Sequence, residues 1–274
     1  MSLSEFALHF KDRFIECGVA ENNAAGVAAG LAKSGKTVFL TSFACFSPAI
    51  NWAVIKQSIC LNNAHVIIVG SHAGLMSTDL GATHQMLEDV ALMRSLPNME
   101  VFAPIDARET SKIVTVLSRS PHPSYLRLVR PPSMQVTDSD PFTIGKSTIL
   151  KHGQDITVCG YGPVLAQALE MRNLSLEIIN CSSIKPLDEA TIIKSIKKTG
   201  RLLVIEDHQK IGGLGEALAH SLLSNNYHPQ FIHLGVDDKF GQSASDYVTL
   251  WDYYGVGPVS LHQAIQKLLL SKKL

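Results

Sequence analysis

Residues 37–70 read TVFLTSFACFSPAINWAVIKQSICLNNAHVIIVG. Two short runs within them, 37–43 and 66–70, are rich in Val, Ile and Phe and apolar on successive positions. Strands that are covered by helices on both faces carry such runs, because neither face turns to water. Between the runs, 48–61 reads as a helix, with Pro48 in the first turn, where its missing N–H costs no bond. Strand, helix, strand is a parallel crossover unit, and the pattern repeats outward from it. Residues 100–104 and 124–129 read as further strands, and 22–33, 84–95 and 106–119 as helices, the last with Asp106 as its N-cap. After a proline-rich passage from Arg130 to Pro141 the alternation restarts. Strands are expected at 156–160, 176–181, 202–206 and 231–235, and helices at 163–172, 188–199, 213–224 and 258–270. The expected fold is therefore α/β, with two doubly wound domains over 1–132 and 146–274 joined by a linker at 133–145.

Composition narrows the function. Of 274 residues 46% are hydrophobic and 18% charged, enough apolar material for large cores and too little charge for disorder. Lys plus Arg and Asp plus Glu number 24 each, so the chain lacks the positive field by which nucleic acids and anionic membranes are bound. No apolar run spans a bilayer, and the mixed charges of 1–11 do not read as a signal peptide. The five cysteines are odd in number and include no C-x-x-C, which disfavours disulfides and structural zinc and makes a reducing cytoplasm the expected compartment. Cys45, Cys159 and Cys181 lie in apolar stretches and read as small core residues.

Several positions carry chemistry-bearing groups. Gly160-Tyr161-Gly162 follows a strand and precedes a helix, but Leu165 occupies the third glycine position of a dinucleotide fingerprint, so a tight turn is the reading. Gly212-Gly213-Leu214-Gly215 fails the same test and reads as a closely packed helix start. Glu206-Asp207-His208 at a strand end suit either a ligand site or a solvated strand end that caps the next helix. Glu21 stands among small apolar residues at the start of a helix, either as a simple favourable charge on the macrodipole or as a partly desolvated acid. Phe43 and Phe46 are either core residues or an aromatic platform at the sheet's carboxyl edge. His72 and His84, twelve residues apart, frame a loop containing Gly74, Ser77 and Gly81; they suit proton handling or an anionic substrate better than a metal. Arg130 is either a linker residue or a phosphate partner.

In combination, GVAENNAAGVAAGLA (18–32), TSFACF (41–46), SHAGLMSTDLGATHQMLEDVALMRSLPNMEVFAP (71–104), YLRLVRPP (125–132) and IEDHQKIGGLGEAL (205–218) resemble the carboxy-terminal half of a transketolase, and more closely the second subunit of split, two-gene transketolases. The likeness covers nearly the whole chain. It implies a pyrimidine-binding domain, shortened at its amino terminus, followed by a smaller carboxy-terminal domain, and thiamine diphosphate with a divalent metal (Mg) as cofactors. It implies that Glu21 hydrogen-bonds the aminopyrimidine ring, with Phe43 and Phe46 in the pyrimidine pocket. It further implies that His72, His84 and Arg130 face the sugar phosphate, Glu21 and His84 being the catalytic pair. A family aspartate that reads substrate hydroxyls falls at Leu80, with Asp79 beside it. The family's Gly-Asp-Gly signature for the diphosphate is absent from the sequence. The implied assembly is therefore a homodimer joined by a separate subunit that carries that signature and holds most of the metal. Two alternatives keep the fold: a subunit of another thiamine-diphosphate enzyme (1-deoxyxylulose-phosphate synthase or a 2-oxoacid dehydrogenase of beta type), or a silent scaffold.

Overall fold

The computed structural model describes residues 3–270. Its strands in chain order are β1 (Val38–Phe43), β2 (Val66–Ser71), β3 (Glu100–Phe102), β4 (Ser124–Arg127), β5 (Thr148–Lys151), β6 (Ile156–Gly160), β7 (Leu176–Asn180), β8 (Ser183–Lys185), β9 (Arg201–Gln209) and β10 (Gln230–Val236). The α-helices are α1 (Ser4–His9), α2 (Glu21–Lys33), α3 (Trp52–Val54), α4 (Asp89–Arg94), α5 (Ala107–Leu117), α6 (Glu189–Thr199), α7 (Leu214–Ser224), α8 (Tyr247–Tyr253) and α9 (Pro258–Leu270). Two five-stranded sheets result, ordered β1-β2-β4-β3-β8 and β10-β9-β6-β7-β5. Each is parallel except for one edge strand, β8 in the first and β5 in the second. The two α/β units expected from the alternation are thus present.

All six residues of β2 and all five of β6 and β7 are buried, as strands covered on both faces require, including the polar Thr157, Glu177 and Asn180, each of which is hydrogen-bonded. The halves also interlock. β8 comes from the second half of the sequence but pairs with β3 of the first, and Lys185 Nζ at its end donates to the Arg94 and Leu96 carbonyls at 3.0 and 2.5 Å. One apolar cluster runs from Ala25, Ala28 and Ile68 in the first half to Cys159, Ile179 and Leu218 in the second. Residues 128–147 hold no helix or strand, yet Asp106 binds the N–H groups of Val136 and Thr137 at 2.9 and 2.7 Å. No helix among the described residues is long and apolar enough to cross a membrane.

Five sequence expectations need correction. The helix at 48–61 begins only at Trp52 and continues as a π-helical turn over Ile55–Cys60. Asn51 explains the late start: its Nδ2 donates to the Glu21 carbonyl and to Ser47 Oγ, holding the preceding residues in a turn. The helix at 84–95 shrinks to α4, because the Met86 and Leu87 carbonyls accept from Gly74 N–H and Gln209 N–H, both at 2.8 Å, rather than from their own helix. The helix at 163–172 is a 3-10 segment, Pro163–Glu170, in which Gln167 Nε2 donates to the Val164 carbonyl. The strand at 202–206 extends to Gln209, so Glu206, Asp207 and His208 lie inside it. Cys159 and Cys181 are buried as expected, whereas Cys45 is only half-buried.

Candidate active site

The carboxyl ends of β1 and β2 build the site. Their register sets Phe43 beside Ser71, and Ser71 Oγ donates to the Ser42 carbonyl at 3.1 Å. The chain then leaves β2 through His72, whose φ of +59° turns it back toward β1. The His72 ring stacks on Phe43 at 4.0 Å. Phe46, three residues beyond Phe43, lies with its plane 6° from that of Phe43 at 6.0 Å between centroids. His84, from the far end of the loop, meets both phenyl rings edge-on, at 6.4 Å to Phe43 and 5.3 Å to Phe46. Four rings chosen from sequence therefore form one cluster, and neither phenylalanine is fully buried.

Glu21 opens α2 beside the carboxyl end of β1. Its Oε1 lies 3.4 Å from Ser42 Oγ, the residue before Phe43, and Asn51 holds its carbonyl at 3.2 Å. The pKa of the Cys45 thiol is pushed up to about 11, chiefly by burial, with the Glu21 carboxylate adding to the effect. The buried face of α2 is Ala25, Ala28 and Ala29. Such small side chains let the helix, and with it Glu21, approach the sheet closely. A depression of about 570 Å³ opens beside Thr41, Ser42, Phe43 and Phe46, lined also by Ala7, Phe14 and Glu16; Glu21 lies outside its lining.

His72 is buried, and its Nδ1 lies 3.0 Å from Ser71 Oγ. Burial lowers its affinity for a proton, and the charge of Arg130 lowers it further against the opposing pull of Asp79. At neutral pH it is an uncharged imidazole. His84 Nδ1 lies 2.8 Å from Thr83 Oγ1. Arg130 stands apart from the four rings. Its Nη1 donates to both carboxylate oxygens of Asp79 at 2.5 and 2.6 Å, and this bond holds the Asp79 carboxyl below its ordinary range. Among the described residues no group of three or more His, Cys, Asp or Glu side chains is placed to hold a metal.

Sequence reading missed the groups that fix the loop between the histidines. Asp207 accepts the Leu75 N–H, Gln85 Nε2 joins the Ser77 carbonyl to that of Gln242, and Ala244 N–H reaches the Thr78 carbonyl. Glu206, Asp207 and His208 are 0, 3 and 0% exposed, so they are not a solvated strand end. The capping half of the second reading does hold: Glu206 accepts the Leu214 and Gly215 N–H groups at the start of α7, at 2.8 and 2.9 Å. A Cβ at Gly213 or Gly215 would fall within 2.4 Å of Glu206 or His233, which is why that helix start is glycine-rich.

Comparison with known proteins gives a consistent result. Residues 2–134 match the family model for the transketolase pyrimidine binding domain, and residues 145–260 that for the transketolase C-terminal domain. A putative transketolase C-terminal section from Methanocaldococcus jannaschii is 36% identical over 271 residues, covering 96% of this chain and 84% of that protein. One of the subunits of the apulose-4-phosphate transketolase of Phocaeicola vulgatus is 34% identical, with 87% of this chain and 85% of that subunit covered. A solved split-gene transketolase, described as an inactive beta4 tetramer, superimposes with a TM-score of 0.89 at 38% identity, covering 97% of this chain and 88% of that one.

Proposed function

The chain belongs to the transketolase family, and we propose that it is the pyrimidine-binding subunit of a split transketolase, moving a two-carbon ketol unit between sugar phosphates with thiamine diphosphate and a second chain. The observation that carries this reading is the placement of Glu21, through Ser42 Oγ, at the end of the strand that also bears the parallel rings of Phe43 and Phe46, with Ser42 and both rings lining one depression. An aminopyrimidine is flat, apolar on its faces and basic at its ring nitrogens. The residues present fit it: among the described residues the Glu21 carboxylate has one long contact, with Ser42, which leaves it acceptor capacity, and both phenylalanines are only partly buried.

When bound, thiamine diphosphate supplies the carbanion chemistry that side chains lack. This chain's own residues would orient and protonate. Glu21 would share a proton with the pyrimidine ring nitrogen, a role that suits a half-buried carboxyl. Phe46, with Phe43 behind it, would stack on the ring and fix its position. His72, uncharged at neutral pH, would exchange hydrogen bonds with sugar hydroxyls, His84 would serve the same end and move protons, and Arg130 would take the anionic end. The diphosphate and its Mg ion would rest mainly on the Gly-Asp-Gly domain of the second chain, with two copies of this chain at the centre of the assembly. The description of the related tetramer as inactive supports the need for a second chain. The subunit names of the relatives, one of them a 6-deoxy-6-sulfo-D-fructose transketolase subunit from Clostridium, support the division of labour.

The test is reconstitution with the product of an adjacent reading frame encoding a Gly-Asp-Gly domain. Glu21→Gln is expected to lower turnover at least about 100-fold while leaving assembly intact. Normal ketol transfer by that variant, or failure of the pair to bind thiamine diphosphate in calorimetry, would remove the proposal.

A further inference from the structure

Arg130 does not wait for its substrate with a free guanidinium. Its Nη1 is engaged by both oxygens of Asp79, on the loop between His72 and His84. The pair sits on the rim of a second depression, of about 470 Å³, whose far wall includes Asp246 and Tyr247 of the second domain. Among the described lining residues Arg130 is the single cation, facing two carboxylates. Asp246 is already committed, accepting from Thr249 N–H and Oγ1 at 2.8 Å each and from Ser245 Oγ at 3.0 Å as the N-cap of α8. Asp79 caps no helix, and Arg130 is its ion-pair partner; its carboxylate is 61% exposed and Arg130 is 48% exposed.

A half-exposed ion pair stabilises a protein little, so an incoming anion can displace it. The displaced carboxylate stays tethered to its loop. At about 5 Å in a water-like dielectric it weakens the binding of each negative charge about fourfold, and the penalty multiplies with the ligand's charge. We propose that Asp79 is a built-in rival for Arg130 that sets the charge preference of this subsite, penalising a dianionic phosphate more than a singly charged oxyanion. The inference rests on the reading of Arg130 as the anion-binding residue and adds a specificity determinant to it.

The experiment uses the full chain with inorganic phosphate and methanesulfonate as probes at pH 8 and low ionic strength, following the Arg130 guanidinium by NMR. Asp79→Asn is expected to tighten phosphate binding about tenfold and methanesulfonate binding about three- to fourfold. Arg130→Met, followed by calorimetry, is expected to abolish the binding of both ions whether residue 79 is Asp or Asn. If Asp79→Asn leaves phosphate affinity unchanged while Arg130→Met weakens it, the rivalry is refuted and the role of Arg130 stands. Equal tightening for both ions refutes the charge preference. Phosphate binding that survives Arg130→Met refutes the reading of Arg130 and the inference with it.

Discussion

Asp207 of the second domain accepts the backbone N–H of Leu75 of the first, at 2.9 Å through Oδ1 and 3.1 Å through Oδ2. Leu75 lies three residues after His72, so a carboxylate from one domain sets the path of the loop that carries a ring of the candidate site in the other. Gly74 makes the contact possible: its φ is +76°, and a Cβ there would fall 2.5 Å from Asp207 Oδ2. Arg127 ties the arrangement to the first sheet, donating to the Asp207 carbonyl at 2.7 Å and to Asp89 at 3.0 Å, where Tyr125 also donates at 2.7 Å. Burial pushes the Asp207 carboxyl above its ordinary range, and the neighbouring Arg127 charge works against that push.

Removing the Asp207 carboxylate should loosen the loop as well as the fold. Asp207→Ala leaves a buried N–H without an acceptor, which costs about 1–3 kcal/mol. Asp207→Asn keeps one acceptor oxygen and should lose less. Denaturation midpoints give the stability change, and amide exchange at Leu75 reports the loop. Undiminished protection of that amide in Asp207→Ala would show that the loop is held by something else.

His72 should titrate below the ordinary value of 6.5, because burial opposes its charge. Between 6.5 and the lower folded-state value the unfolded chain binds more protons than the folded one. The contribution of this ring to stability is therefore present above 6.5 and is lost as pH falls through the folded-state value. Phe43 covers one face of the imidazole at 4.0 Å, so Phe43→Ala should admit water and bring the titration back toward 6.5. NMR of the His72 ring protons follows both shifts; titration at or above 6.5 in the parent chain contradicts the account.

The sheets were legible in sequence because strands such as β2 and β6 are buried on both faces and carry predominantly apolar runs. The ring cluster was legible because Phe43, Phe46, His72 and His84 all follow strand ends or frame one loop, where a parallel sheet gathers its ligand-facing residues. What escaped notice depends on partners distant in sequence. Nothing local to Leu75 announces Asp207, 132 residues away, and nothing in the pattern of 84–95 shows that the Met86 and Leu87 carbonyls are claimed elsewhere. β8 escaped for a related reason: it has three residues and exists only because β3 offers an edge. Asp79 next to Leu80 was visible as a departure from the family pattern, but its pairing with Arg130 became visible only once the two loops were placed together.

Glu206 gives the sharpest test of how the second domain is held. Fully buried, its carboxylate accepts from Tyr161 Oη at 2.9 Å, from His233 Nε2 at 2.8 Å and from the Leu214 and Gly215 N–H groups. Burial works to raise its proton affinity. The His233 hydrogen bond, the charges of His208 and His233 and the Gly215 N–H outweigh burial and hold it below the ordinary 4.5. A depressed carboxyl contributes stability above 4.5 that is lost as pH falls through its folded-state value, since the unfolded chain takes up the proton first. Glu206→Gln replaces an acceptor oxygen with an NH₂ that faces donors, at a cost of about 2–4 kcal/mol near neutral pH. Because the parent loses this contribution in acid and the variant has none to lose, the difference between them should hold above 4.5 and narrow as pH falls below it. Urea midpoints on both sides of that value measure it, and a gap that stays constant would mean that Glu206 is not held as the anion the geometry requires.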